Sequence, residues 1–175
     1  MSMGLYMAEH TPHCTDLQKK CLHHECPEHG LEYFLYDETV LAVLLRTAYK
    51  NKDIKFFTPS TFSQQLGYMN RPIGYDIPPH DHNPVSRKVE WTQETLFIRS
   101  GRVRLDLYAP GTRNHLGSCE LLPGDVVLLA HGGHGFHMLE PSEMIEVKQG
   151  PYAGDMDKTR FVPQDGPLAR SNAHE

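Results

Sequence analysis

No run of roughly 20 apolar residues, the length that crosses a bilayer as a helix, occurs in this 175-residue chain. The first thirty residues also lack the apolar stretch of a secretory signal, so the expectation is a cytoplasmic protein with no membrane partner. A basic surplus is missing too: 17 Lys and Arg stand against 22 Asp and Glu, a formal charge of -5. Without a basic face, nucleic acid is a poor partner, which leaves small molecules and other proteins. Cysteine is scarce, with Cys14, Cys21 and Cys26 close together and Cys119 alone, and in a reducing compartment they are expected as thiols. Paired C-x2-C spacing is absent, so the early cysteines with His10, His13, His23, His24 and His29 make a weak case for a zinc knot. Residues 1–30 therefore read as a polar, His/Cys-rich extension, loosely ordered and packed on the main domain or on a partner subunit.

The composition that remains, 39% hydrophobic and 22% charged, suits one compact domain with its own core. Residues 37–50 read as a helix. Asp37 stands as N-cap, Val40, Leu41, Leu44, Leu45 and Ala48 form an apolar stripe, and Arg46, Lys50 and Lys52 suit the C-terminal end. From Ile54 onward the pattern changes to short β-branched and aromatic runs cut by Pro and Gly, as in an all-β barrel or sandwich. Strands are expected at 55–58, 64–70, 74–77, 91–99, 102–108, 117–121, 126–130, 135–139 and 143–149. Turns fall between them at Arg71-Pro72, Ser100-Gly101, Pro110-Gly111, Pro123-Gly124, Gly132-Gly133 and Glu140-Pro141. Residues 153–175 read as a polar, partly disordered tail.

Histidines concentrate in two places within the strand-rich region. His80 and His82 are two apart behind Pro78-Pro79, whose rings favour extended backbone, and extended backbone turns both imidazoles to one side. Glu94 alternates with Leu96 and Ile98, so it points inward if they do, and a carboxylate buried there is costly without a cation beside it. Gln93 is the rival, with the wrong parity. His134 shares parity with Phe136 and Met138, whereas His137 has the opposite parity and faces outward. His80, His82, Glu94 and His134 are therefore the candidate ligands of one divalent metal. On strand alternation over residues 102–107, Val103, Leu105 and Leu107 form an inner face and Arg102, Arg104 and Asp106 a solvated outer one. Phe97 likewise faces outward with Thr95 and Arg99.

These residues resemble the cupin superfamily. Its first motif, G-x5-H-x-H followed by E-x6-G, is similar to Gly74, His80, His82, Glu94 and Gly101. Its second, with a Pro-Gly turn and a histidine, is similar to Gly117, Pro123-Gly124-Asp125 and His134. The resemblance covers about residues 74–149 and implies a cupin-type jelly-roll β-barrel, here with an N-terminal helical extension, in a domain over 31–152. It also implies one metal held by three histidines and a glutamate, and commonly a homodimer. Two departures stand out. Eleven residues separate His82 from Glu94, against three or four in most cupins, so residues 83–90 are expected to hang over the barrel mouth. The Pro123–His134 segment is about one residue short, which keeps His131 as a competitor for the fourth ligand.

A three-histidine, one-carboxylate set leaves up to two of six positions open and suits Fe(II) first, then Mn(II), Ni(II) or, at lower coordination, Zn(II). Such a centre supports dioxygenase-type or isomerase/epimerase-type chemistry on a small polar molecule. A non-catalytic cupin that binds a sugar, metabolite or partner protein is the alternative, because cupins include both. The chain further resembles small stand-alone bacterial cupins found near surface-polysaccharide genes, through residues 64–72, His134-Gly135-Phe136 and 145–152. That likeness leans the substrate towards a carbohydrate-derived molecule. The sequence assigns no catalytic residue.

Overall fold

The computed structural model describes residues 22–167, and among them the architecture is all-β, with a single 3₁₀ turn at Gly154–Met156. No helix of the described residues is long and apolar enough to cross a membrane. Eleven strands follow one another: β1 (Leu22–Glu28), β2 (Leu31–Tyr36), β3 (Thr39–Leu45), β4 (Lys55–Phe56), β5 (Gly67–Tyr68) and β6 (Glu94–Ser100), then β7 (Val103–Tyr108), β8 (His115–Leu121), β9 (Val126–Leu129), β10 (Gly133–Met138) and β11 (Glu143–Lys148).

Three antiparallel sheets result: six strands in the order β1-β2-β3-β9-β6-β11, three in the order β10-β7-β8, and the small pair β4-β5. The two larger sheets share a core. Alternation sends Ala42 and Leu44 of β3, Leu96 and Ile98 of β6, and Val127 and Leu129 of β9 to meet Val103, Leu105, Leu107 and Leu121 from the opposing sheet. On the other face of the six-stranded sheet, Val43 and Leu45 pack with Leu31, Tyr49 and Phe57 into a second cluster, with Tyr68 of β5 against it.

Several expectations are corrected. Residues 37–50 form no helix. Asp37 and Glu38, both at positive φ (50° and 62°), make the turn of a hairpin, and Thr39–Leu45 is a strand paired with β2 and β9. The stripe misled because β3 is covered on both faces, so its apolar run is continuous, and a continuous run does not distinguish a buried strand from a helix. Residues 74–77 form no strand either, and 69–93 carry no regular element. Inside the segment read as a loose extension, residues 22–28 form an ordered edge strand; Cys14, Cys21, His10 and His13 lie outside the described residues.

The outer faces are less solvated than alternation suggests. Thr95 is buried and donates its hydroxyl to Gln64 Oε1 (2.9 Å). Asp106 is fully buried on the far face of β7, where Arg104 grips it through Nε (2.9 Å) and Nη2 (3.2 Å) and Ser118 donates to it (2.5 Å). Phe97 does face solvent, across from Ile145 of β11, which is also exposed. The segment after β11 returns over the three-stranded sheet. Phe161 stands edge-on to Tyr108 (5.3 Å between centroids), and Asp165 accepts the backbone N–H of His115 (2.9 Å).

Candidate metal centre

Ladder register fixes which side chains enter the core from each strand. Glu94 opens β6 opposite Leu129, and His134 lies near the start of β10 opposite Leu107; both partners belong to the shared core, so both polar groups are on inner faces. They come from different sheets. Across that gap His134 Nε2 stands 3.1 Å from Glu94 Oε2, with the imidazole 30% and the carboxylate 15% exposed. The hydrogen bond from His134 holds the Glu94 carboxyl below the ordinary carboxylate range against the opposing effect of burial, with Lys148 and Lys158 adding attraction.

Lys148 is the register partner of Glu94 on β11, and its ammonium bonds Asp157. Asp157 also accepts the Thr92 hydroxyl (3.0 Å), so the returning C-terminal segment is fastened beside the carboxylate. No sequence pattern points to Asp157, Lys158 and Thr92, because nothing in the polar stretch after Pro151 signals that it turns back.

His80 and His82 sit on the exposed stretch 72–92. Their rings are neighbours, 5.3 Å apart and nearly perpendicular. The backbone carbonyl of Pro78 can only accept, so at 2.9 Å it places the hydrogen of the neutral His80 ring on Nδ1 and leaves the Nε2 lone pair free. They do not converge on Glu94 and His134. Among the described residues, the set of three or more His, Cys, Asp or Glu whose ligating atoms lie within 4.8 Å of one another is His24, Cys26 and Glu32.

The rivals have other surroundings. His131 packs edge-on against Trp91 (4.6 Å) at a depression of about 430 Å³ that also takes in Val40, Phe62, Val89 and Gln93. Residues 88–91 of the long loop thus line that depression beside His131. Gln93 is buried and occupied, its Oε1 accepting Ser63 Oγ (3.1 Å) and Gln64 N (2.9 Å). His137 pairs in register with Arg104 and is exposed.

For a metal, the donors fit in part. With bonds near 2.1 Å, two cis ligands of an octahedral ion stand about 3.0 Å apart, a spacing close to that of Glu94 Oε2 and His134 Nε2. His80 offers an unshared Nε2 with its other nitrogen tied to a carbonyl, the arrangement usual for a ligating histidine.

What the fold and the pair define is an antiparallel β protein in which a carboxylate and an imidazole, one from each of the two larger sheets, meet beside the core those sheets share. Comparison with known protein families, with curated proteins and with solved structures finds no match.

Proposed function

We infer that this chain is a metal-dependent cupin with a jelly-roll barrel, an enzyme acting on a small polar, carbohydrate-derived molecule at one divalent metal, Fe(II) in first place. One observation carries the reading: Glu94 and His134, delivered by two different sheets, meet at 3.1 Å on the inner face of the core. The Glu94 carboxylate is mostly buried on the inner face opposite Leu129, where the His134 hydrogen bond offsets the desolvation that works against it, and a bound cation would offset it further. The two further ligands are His80 and His82, which requires the 69–93 loop to fold towards the pair. Loops of this kind close over many sites once a ligand is present. When bound, the metal supplies Lewis-acid polarisation or O2 activation at its open positions. The chain's own part is to orient the substrate, with Lys158 as a cation near Glu94 for an anionic or hydroxyl-rich molecule, while Lys148 stays bonded to Asp157.

The test is metal content and rebinding in protein purified without chelators, carried out in a Cys26→Ser background so that thiol-bound metal is not counted. One equivalent of Fe(II), Mn(II), Ni(II) or Zn(II) is expected, and His80→Ala with His82→Ala is expected to abolish it while the far-ultraviolet circular dichroism is unchanged. Protein that neither retains nor binds any of the four metals removes this reading.

A further inference from the structure

Among the described residues, β1 is an edge of the six-stranded sheet, and it holds a second constellation outside the Glu94–His134 site. We propose that His24, Cys26 and Glu32 form a separate binding site for a thiophilic divalent cation of the Zn(II) type. Three chemically different donors meet there: an imidazole, a thiol and a carboxylate, all within 4.8 Å of one another. Cys26 Sγ lies 3.5 Å from His24 Nε2, and His24 Nε2 lies 2.7 Å from Glu32 Oε2. A tetrahedral zinc with bonds of about 2.3 Å to sulfur and 2.0–2.1 Å to nitrogen holds those two atoms about 3.5 Å apart. The sulfur and nitrogen are therefore already at ligand spacing, and the His24–Glu32 hydrogen bond has to open by about 0.6–0.7 Å to reach the roughly 3.3–3.4 Å between two tetrahedral nitrogen and oxygen ligands, with the carboxylate settling at a similar spacing from the sulfur.

The backbone explains the convergence. In the β1–β2 ladder Glu25 pairs with Tyr33 and Glu28 with Leu31, so two residues, Cys26 and Pro27, stand opposite the single residue Glu32. That is a β-bulge, and bulges re-aim side chains; here it brings the thiol level with the carboxylate. His24 pairs with Phe34, whose ring stacks flat on the imidazole (4.6 Å, 7°) and fixes its plane. Glu32 keeps one oxygen on Arg46 Nε, so the other faces His24 and Cys26. A ligating carboxylate is commonly steadied in this way by an outer hydrogen bond. His24 and Cys26 are exposed and β1 is the sheet's edge, so a cation reaches the site from solvent and water completes its coordination. On binding, the thiol proton of Cys26 leaves to solvent and the imidazole hydrogen moves to Nδ1, giving a thiolate and a carboxylate to balance the two positive charges.

This site is distinct from the Glu94 pair. His24 and Glu94 lie on one row across the sheet, through Phe34, Ala42 and Leu129, with four strand spacings between them, roughly 19 Å.

Cobalt(II) titration of the full-length, reduced protein tests the proposal, because a thiolate ligand to cobalt gives a near-ultraviolet charge-transfer band that imidazole and carboxylate ligands do not. The band is expected at one equivalent in the natural protein, in His80→Ala/His82→Ala and in Cys119→Ser. It is expected to vanish in Cys26→Ser, and binding should weaken by about tenfold or more in His24→Ala and in Glu32→Gln. Circular dichroism of each variant checks that the exposed edge substitutions leave the fold intact. No thiolate band in the natural protein, or a band that survives Cys26→Ser, overturns the site. Loss of the band only in His80→Ala/His82→Ala overturns its independence.

Discussion

Asp125 is the residue on which the turn after β8 depends. Almost fully buried, it accepts the backbone N–H groups of Leu122 (3.0 Å) and Thr47 (3.1 Å) and the Arg46 guanidinium (2.9 Å). Gly124 beside it has φ 86°, and a Cβ there would meet Thr47 Oγ1 at 2.4 Å, which is why glycine precedes the aspartate. Asp125→Ala leaves two backbone donors and a partly buried guanidinium short of a partner, and is expected to cost about 3 kcal/mol in urea unfolding. A loss below about 1 kcal/mol would mean that water replaces the carboxylate freely. The Pro-Gly-Asp sequence was readable as a turn. Its reach to Arg46 and Thr47 was not, since those partners lie nearly eighty residues away and no local pattern encodes them.

At the scale of elements, the β2–β3 hairpin is where sequence and structure part. Tyr36 and Thr39 pair directly, so Asp37 and Glu38 form a two-residue turn with both φ values positive. Such turns favour Asn-Gly, because the left-handed region costs an ordinary L-residue roughly 1 kcal/mol or more. Asp37→Asn with Glu38→Gly should therefore stabilise the protein by about 1 kcal/mol, read as a higher thermal midpoint; a lower midpoint would show that the native side chains make contacts worth more than the strain. Strands β6 to β11 were legible within a few residues, because each has one apolar face or a clear Pro/Gly boundary. β3 was not, being buried on both sides, and β1 was hidden among polar residues at an edge. The same two-residue parity that singled out His80 and His82 also applies to His24 and Cys26. It does not stand out there because residues 22–28 carry no strand pattern of alternating apolar side chains. Parity placed Glu94 and His134 inward, yet it names a face without saying whether that face is covered, which is how Thr95 and Asp106 came to be read as solvated.

Over the whole molecule, the two sheets are joined at one end by the Glu94–His134 pair and by the strap that follows β11. The strap is held by Asp157 to Lys148 and Thr92, and by Asp165 to His115. The hydrogen bond from Lys148, then that from Thr92, lowers the Asp157 carboxyl below its ordinary 3.8. In turn the hydrogen bond from Asp157 raises Lys148 above its ordinary 10.5. A carboxyl whose folded value is depressed adds stability that is fully present above its ordinary value and is lost as pH falls through the lowered one. An amine with a raised value adds stability that is present below its ordinary value and is lost as pH rises through the raised one. The clasp therefore contributes in full from about pH 4 to pH 10.5, and opens only as pH falls through the lowered Asp157 value or rises through the raised Lys148 value. Hydrogen exchange across residues 154–166 reads this directly. At neutral pH, Asp157→Asn should exchange several-fold faster than the natural protein there, with β6 and β7 unaffected. As pH falls below the carboxyl's lowered value the two proteins should converge, because Asp157 is then neutral in both. If the gap at pH 7 is absent, or persists unchanged into acid, the charge on Asp157 does not hold the strap, and Phe161 packed on Tyr108 and Gly133 is what keeps it in place.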